Sequence, residues 1–261
     1  MLSPEQIAAI ADELAEADRT HGVIPRITAR YPDATIEDSY AIQGVWRDKN
    51  VAAGRTLVGR KIGLTSKAMQ AATGITEPDY GVMFDDTVFP TGSEIAVDRF
   101  SNVRIEVELA FVLREPLEGP DCSLDDVLRA TDYVVPALEV LNSHIELEGR
   151  TIVDTISDNA AYGAMVLGDV RKRPDEIDLR WIPGLLYRNG EITETGVAAG
   201  VLDHPATGVA WLANKFHQHG ARLESGEIIL AGSFTPPMWV ERGDEVLCDY
   251  GPMGRITCRF V

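Results

Sequence analysis

Glu106 and Glu108 lie in the run Val103-Arg104-Ile105-Glu106-Val107-Glu108-Leu109-Ala110-Phe111-Val112-Leu113, whose odd-numbered positions are all apolar. Successive side chains of a β-strand alternate between its two faces, so Arg104, Glu106 and Glu108 share one face and an unbroken apolar row fills the other. At about 3.3 Å per residue the two glutamates sit roughly 7 Å apart at Cα, close enough for one cation to engage both carboxylates. A solvated acidic face has the same pattern, so this strand alone leaves both readings open.

Glu139 adds weight to the first reading. It falls in Tyr133-Val134-Val135-Pro136-Ala137-Leu138-Glu139-Val140-Leu141, a run otherwise apolar on both sides. A buried carboxylate without a partner is strongly disfavoured or driven neutral. It requires a cation, supplied either by an arginine or by a metal shared with Glu106 and Glu108. Three carboxylates with no cysteine or histidine beside them in sequence make a hard, all-oxygen ligand set, suited to Mg2+ or Mn2+ and not to zinc.

Lys61 is out of place in the same way, inside the glycine-flanked apolar run Val58-Gly59-Arg60-Lys61-Ile62-Gly63-Leu64-Thr65. Beside a carboxylate–metal cluster it would give an anionic substrate the positive charge it needs, and a proton or a hydrogen bond to a developing oxyanion. Asp79, in Thr76-Glu77-Pro78-Asp79-Tyr80-Gly81, reads as a loop residue, either a turn former or a general base over a site. Ser157-Asp158-Asn159-Ala160 and Gly232-Ser233-Phe234-Thr235 read as polar turns. Of five histidines, His217 and His219 are two apart near a helix end and read as solvated. There is no Gly-x-Ser-x-Gly elbow, phosphate loop or dinucleotide fingerprint.

These residues need strands to position them. From Leu57 onward the hydrophobic period is two, with β-rich runs at Val58–Leu64, Val103–Leu113, Tyr133–Leu141, Ala164–Leu167, Leu185–Arg188, Ile228–Ala231, Glu245–Asp249 and Arg255–Val261. Asn189-Gly190 is a type I′ hairpin signal. Before Leu57 the period is helical. Ser3, Pro4 and Gln6 open a helix near 4–19, and Thr35 with Asp38 opens another that stops before Gly54. A third is expected from an Asp203 cap and Pro205 to Gly220. The expected organisation is an α-rich region at 1–56 and a β-rich catalytic domain at 57–261, an α+β arrangement of mixed sheet with inserted helices.

The chain has 261 residues, 45% of them hydrophobic, and a formal charge of −17 from 41 acidic and 24 basic residues. Such an exterior repels phosphate backbones and anionic membranes, which argues against a nucleic-acid or membrane partner. It also opposes an anionic substrate unless cations gather at the site. Cys122, Cys248 and Cys258 fit neither a disulfide framework nor a metal knuckle and read as reduced thiols of a cytoplasmic protein. No export signal or membrane span is evident.

Gly59-Arg60-Lys61-Ile62-Gly63-Leu64-Thr65, Pro78-Asp79-Tyr80-Gly81, Arg104-Ile105-Glu106-Val107-Glu108, Ala137-Leu138-Glu139-Val140, Asp158-Asn159-Ala160 and Asp203-His204-Pro205 follow one another along the chain. Together they resemble the 2-hydroxypenta-2,4-dienoate hydratase and 4-oxalocrotonate decarboxylase group of the fumarylacetoacetate hydrolase superfamily. Through Gly63-Leu64-Thr65-Ser66-Lys67-Ala68-Met69-Gln70, Asp154-Thr155-Ile156-Ser157-Asp158-Asn159 and Cys258-Arg259-Phe260-Val261 the chain is most similar to the 2-oxo-hept-4-ene-1,7-dioate hydratases.

The resemblance implies a mixed β-sandwich or roll behind a small α-rich N-terminal region, in a homo-oligomer that can associate with a pathway enzyme. It implies Mg2+ or Mn2+ held by Glu106, Glu108 and Glu139, with Lys61 and Asp79 as the acid–base and orienting pair. Asn159, Ser233 and Thr235 would line the substrate pocket. The implied reaction, in aromatic meta-cleavage degradation, is ketonisation of a 2-hydroxydienoate by protonation at C5, then addition of water at C4, with Lewis-acid help to the enolate. A decarboxylase of the 4-oxalocrotonate type passes through the same dienolate and is the nearest alternative. An acylpyruvate-type hydrolase fits less well, because the segment after Lys61 offers Lys67 and Glu77 but no histidine to activate water. A non-catalytic partner subunit fits poorly with an intact carboxylate set. After Thr235, where a cation for a distal carboxylate would be sought, stand Pro236 and Pro237.

Overall fold

The computed structural model describes residues 1–66, 70 and 77–261. Lys67, Ala68 and Met69 of the motif quoted above, and Thr76 of the Asp79 segment, lie outside the described residues. The N-terminal portion folds as its caps dictate. Ser3 and Gln6 form a capping box at the start of α1 (Pro4–Thr20), a single turn α2 (Ile27–Arg30) follows, and Thr35 with Asp38 form a second box at α3 (Ile36–Ala52). The apolar faces of α1 and α3 close on Val82, Phe84 and Ile145 in a small core of their own.

The rest of the chain runs β1 (Leu57–Gly63), β2 (Asp79–Phe84), β3 (Val88–Pro90), β4 (Ser93–Ile95), β5 (Arg104–Leu113), α4 (Leu124–Ala130), β6 (Thr131–Leu141), α5 (Ile152–Ser157), β7 (Tyr162–Leu167), β8 (Pro183–Arg188), β9 (Glu191–Val197), α6 (Pro205–His217), β10 (Ile228–Leu230), β11 (Met238–Trp239), β12 (Glu245–Asp249) and β13 (Arg255–Phe260). Among the described residues these strands form an eight-stranded sheet in the order β2-β1-β10-β5-β6-β7-β3, with β11 on β5, and a five-stranded sheet in the order β4-β13-β12-β8-β9. Pairing is mixed: β1 with β10, β3 with β7 and β13 with β4 are parallel, the others antiparallel. The expected mixed sandwich with N-terminal helices is the observed architecture.

Ile105, Val107, Leu109 and Phe111, the odd-numbered face of β5, lie in the main core together with Leu186, Val246, Cys248, Ile256 and Phe260 of the smaller sheet. Buried Tyr250 ties the layers by donating its hydroxyl to the Ala137 carbonyl at 2.5 Å. The opposite face of β5, carrying Arg104, Glu106 and Glu108, therefore looks away from the sandwich interior. Among the described residues no helix is long and apolar enough to cross a membrane.

Several elements differ from expectation. Asp79–Phe84 is strand rather than loop, buried at nearly every position, so it shows a continuous run instead of alternation. Glu191–Val197 is an edge strand whose mostly exposed face carries little apolar signal. His204, not Asp203, caps α6: Asp203 sits at φ 71° one residue too early, and the imidazole Nδ1 accepts from the Ala206 N–H at 3.0 Å. That helix ends at His217, short of Gly220.

Candidate active site

The β5–β6 ladder sets Glu106 directly opposite Glu139 and Glu108 opposite Ala137. Glu108 thus reaches the Glu106–Glu139 pair along its own strand, and one oxygen from each of the three carboxylates lies within 4.8 Å of the others. Glu108 and Glu139 are buried, while Glu106 keeps a partial opening to solvent. Oε1 of Glu108 and both oxygens of Glu139 accept no hydrogen bond. Carboxylate oxygens without hydrogen-bond donors where like charges converge call for a hard cation in addition to the Lys61 ammonium, so the donor set fits Mg2+ or Mn2+.

Three neighbours in the 232–235 segment, Gly232, Ser233 and Thr235, fix Glu108 and the strand between the glutamates. The Gly232 N–H donates to Glu108 Oε2 at 2.8 Å, from a φ of 113° that favours glycine. Thr235 Oγ1 accepts from the Val107 N–H at 3.3 Å, and the Ser233 hydroxyl donates to the Thr235 carbonyl at 2.8 Å. Ser233 and Thr235 therefore clamp the β5 backbone beside the cluster.

Lys61 reaches the cluster from β1, two strands away from β5. Its Nζ lies 3.1 Å from Glu139 Oε1 and donates to the Ala160 carbonyl at 2.7 Å. That carbonyl comes from a turn in which Asn159, Ala160 and Ala161 all have left-handed φ, at 50°, 53° and 59°. Asn159 anchors the turn: its Oδ1 accepts from the Val82 N–H at 2.7 Å and its amide donates to the Val82 carbonyl at 2.9 Å. Gly81 makes room, since a Cβ there would run into the Asn159 carbonyl. Asn159 is thus occupied with β2 backbone.

Asp79 is paired with Gly63 across the β1–β2 ladder and is buried, with no hydrogen-bond partner for either oxygen. A Cβ at Gly63 would run into Asp79 Oδ1, so the missing side chain lets this carboxylate lie over β1 next to Lys61. Burial drives Asp79 up to about 6 against the pull of Lys61, and burial together with Glu139 drives Glu106 up to about 7. Burial, then the Glu139 charge, also holds Glu108 well above the carboxylate range. Burial works against the Lys61 ammonium, but Glu139 and Asp79 outweigh it and raise its pKa. Lys61 is a fixed cation and Asp79 a group able to exchange a proton near neutrality.

The structure brings Lys61, Asp79, Glu106, Glu108 and Glu139 together, and places Asn159, Ser233 and Thr235 around them as supports for backbone. Sequence reasoning gave no role to Arg104, Ser143, His144 or Arg150. Arg104, on the face of β5 that carries the glutamates, donates to Ser143 Oγ at 2.9 Å, and Arg150 donates to the same oxygen at 2.8 Å. Ser143 lies four residues after Glu139, and only the same-face position of Arg104 signalled this group. Buried His144 pairs through Nδ1 with Asp158 at 2.9 Å, bracing the start of the Asn159 turn. Glu77 is ion-paired with Lys215 at 3.1 Å.

The sequence model described as fumarylacetoacetate (FAA) hydrolase C-terminal matches residues 50–261. The chain is 56% identical over 258 residues, 97% of each protein, to a 2-oxo-hept-4-ene-1,7-dioate hydratase of Escherichia coli. It is 36% identical over 259 residues, 99% of this chain and 96% of the other, to a 2-keto-4-pentenoate hydratase of Paraburkholderia xenovorans. A solved 4-oxalocrotonate decarboxylase from Pseudomonas putida, complexed with magnesium and adipate, superposes with a TM-score of 0.97 at 34% identity, covering 100% of this chain and 99% of that one. With this match in sequence over most of its length, and with the same fold carrying the glutamate cluster, the chain belongs to the fumarylacetoacetate hydrolase family.

Proposed function

We propose that the chain is a metal-dependent hydro-lyase that adds water to a 2-oxo-enoate of aromatic meta-cleavage degradation, with 2-oxo-hept-4-ene-1,7-dioate as its substrate. The observation that carries the reading is the convergence of Glu106, Glu108 and Glu139 beside the Lys61–Asp79 pair. The choice of hydration over decarboxylation rests on the 56% identity to the hydratase of Escherichia coli, against 34% to decarboxylases.

Glu106, Glu108 and Glu139 would hold Mg2+ or Mn2+, which when bound supplies Lewis-acid stabilisation of the substrate's enolate. Lys61, kept charged by its carboxylate neighbours and fixed by the Ala160 carbonyl, offers a preorganised donor to the oxyanion that develops at the 2-oxygen. Asp79, protonated or ionised near neutral pH, is the group suited to move the proton of the ketonisation, after which the enone is open to water at C4. Asn159, Ser233 and Thr235 keep the backbone around these groups in place. The reading includes a cytoplasmic homo-oligomer; the three free, buried thiols fit a reducing compartment, and exposed Trp181 and Ile192 fit a contact between copies.

Incubating the Mg2+-loaded protein with 2-hydroxydienoates tests the reading. Loss of the dienol absorbance with a 4-hydroxy-2-oxo acid as product is expected. Stoichiometric release of CO2 from a substrate with an activated carboxylate would instead make the protein a decarboxylase.

A further inference from the structure

Arg104 and Arg150 approach one hydroxyl from two elements, β5 and the segment between β6 and α5. Both donate to Ser143 Oγ, which with two lone pairs taken has its own proton left to give. Arg104 is buried, and its Nε has no hydrogen-bond partner. Among the described residues neither arginine forms an ion pair with a carboxylate; Glu106, Glu139 and Asp158 act on Arg104 at longer range, as Asp158, Asp79 and Asp154 do on Arg150. Two guanidiniums sharing a hydroxyl, one of them buried with an unpartnered N–H, repel each other and have no anion in direct contact with them.

The position of this notch says which anion. Arg104 shares the face of β5 with Glu106 and precedes it by two residues, a Cα separation of roughly 7 Å. A seven-carbon chain with bonds of ~1.5 Å spans a similar distance between its terminal carbons. Trp239, opposite Arg104 in the β5–β11 ladder, lays its half-exposed ring 5.2 Å from the Arg104 guanidinium and shields it from water on one side.

We propose that Arg104, Arg150 and Ser143 form the subsite for the distal carboxylate of a dicarboxylic substrate, and so set the preference for diacids over monoacids. This rests on the 2-oxo acid reading of the neighbouring cluster and supplies the cation that Pro236 and Pro237 do not. Each arginine contributes a charge-assisted pair, so losing one removes about ten- to a hundredfold in affinity for a diacid.

Calorimetric titration of the Mg2+-loaded protein with 2-oxoheptanedioate and with 2-oxoheptanoate, which differ only in the distal carboxylate, tests the subsite without requiring turnover. The intact protein is expected to bind 2-oxoheptanedioate at least about tenfold more tightly. Arg104→Met and Arg150→Met should each remove most of that advantage and leave 2-oxoheptanoate binding unchanged. Arg104→Lys, which keeps the charge but not the fork, should restore part of it. Melting temperatures of the Mg2+-loaded methionine variants, read beside their binding of the monoacid, separate lost recognition from lost folding. Equal binding of the two acids, binding of neither, or an advantage that survives both substitutions overturns the proposal. Diacid-selective binding without turnover of any dienoate would overturn the hydratase reading and leave the subsite standing.

Discussion

Glu106 and Glu139 face each other across the β5–β6 ladder, two carboxylates at directly opposed positions of one antiparallel pair. Like charges so placed destabilise a sheet unless a cation joins them. The protein treated with chelator should therefore stay folded but inactive, and Mg2+ should both restore turnover and raise the Tm by linkage. Glu106→Gln should weaken metal binding and turnover, whereas Glu148→Gln, at an exposed position, should change neither. Full turnover in excess EDTA would remove the metal from the mechanism.

Lys61→Met separates a structural from a catalytic lysine. The substitution leaves Glu139 and the Ala160 carbonyl without their cation, so the metal-free variant should lose about 3–5 kcal/mol of stability. Saturating Mg2+ should recover much of that loss. The folded, metal-loaded variant should still turn over roughly 10²–10⁴-fold more slowly. Near-normal turnover in that state would make Lys61 a charge-balancing residue only.

The raised carboxylates give the metal-free protein a characteristic pH response. Because Asp79 and Glu106 titrate near 6 and 7 in the fold but lower when unfolded, the native state holds the extra protons, and stability falls as pH rises through those values. Melting in EDTA across this range should show the fall. Glu106→Gln should flatten it, and Mg2+, which competes with the protons, should stabilise more at the alkaline end. A chelator-treated protein whose Tm climbs between these two values would contradict the assigned burial.

Gly63→Ala should act chiefly through Asp79, with Lys61 Nζ next in line at 3.4 Å from the added carbon. The added methyl would push this carboxylate away from its place over β1, so kcat should drop with metal affinity intact. Restoration by Asp79→Ala in the same chain would not follow if Asp79 moves the proton, and equal kcat for Gly63→Ala and the parent would show that its position is immaterial.

Much of this site was legible because strand alternation is a local property. The shared face of Arg104, Glu106 and Glu108, and the isolation of Glu139 and Lys61 in apolar runs, follow from neighbours in sequence alone. The cross-strand register that opposes Glu106 to Glu139 is a long-range pairing that no local pattern encodes. Asp79 reads as a loop residue in sequence because its strand is buried at nearly every position, which erases the period-two signal. Arg150 and Ser143 lie outside any regular element, and a hydroxyl that joins two arginines leaves no trace in spacing. For Asn159, the polar turn was recognisable, but the occupation of its amide by Val82 was not.

The turn at Asn159, Ala160 and Ala161 carries a cost of its own. Left-handed backbone is tolerable for asparagine but costs an alanine roughly 1–2 kcal/mol, and here two alanines follow in succession. Glycine at either position would relieve that strain while widening the range of conformations open to the carbonyl that holds Lys61. Thermostability and catalytic competence are thus set against each other at Ala160: a variant selected only for melting temperature would drift toward glycine there, and would be expected to lose rate as the lysine's anchor loosens.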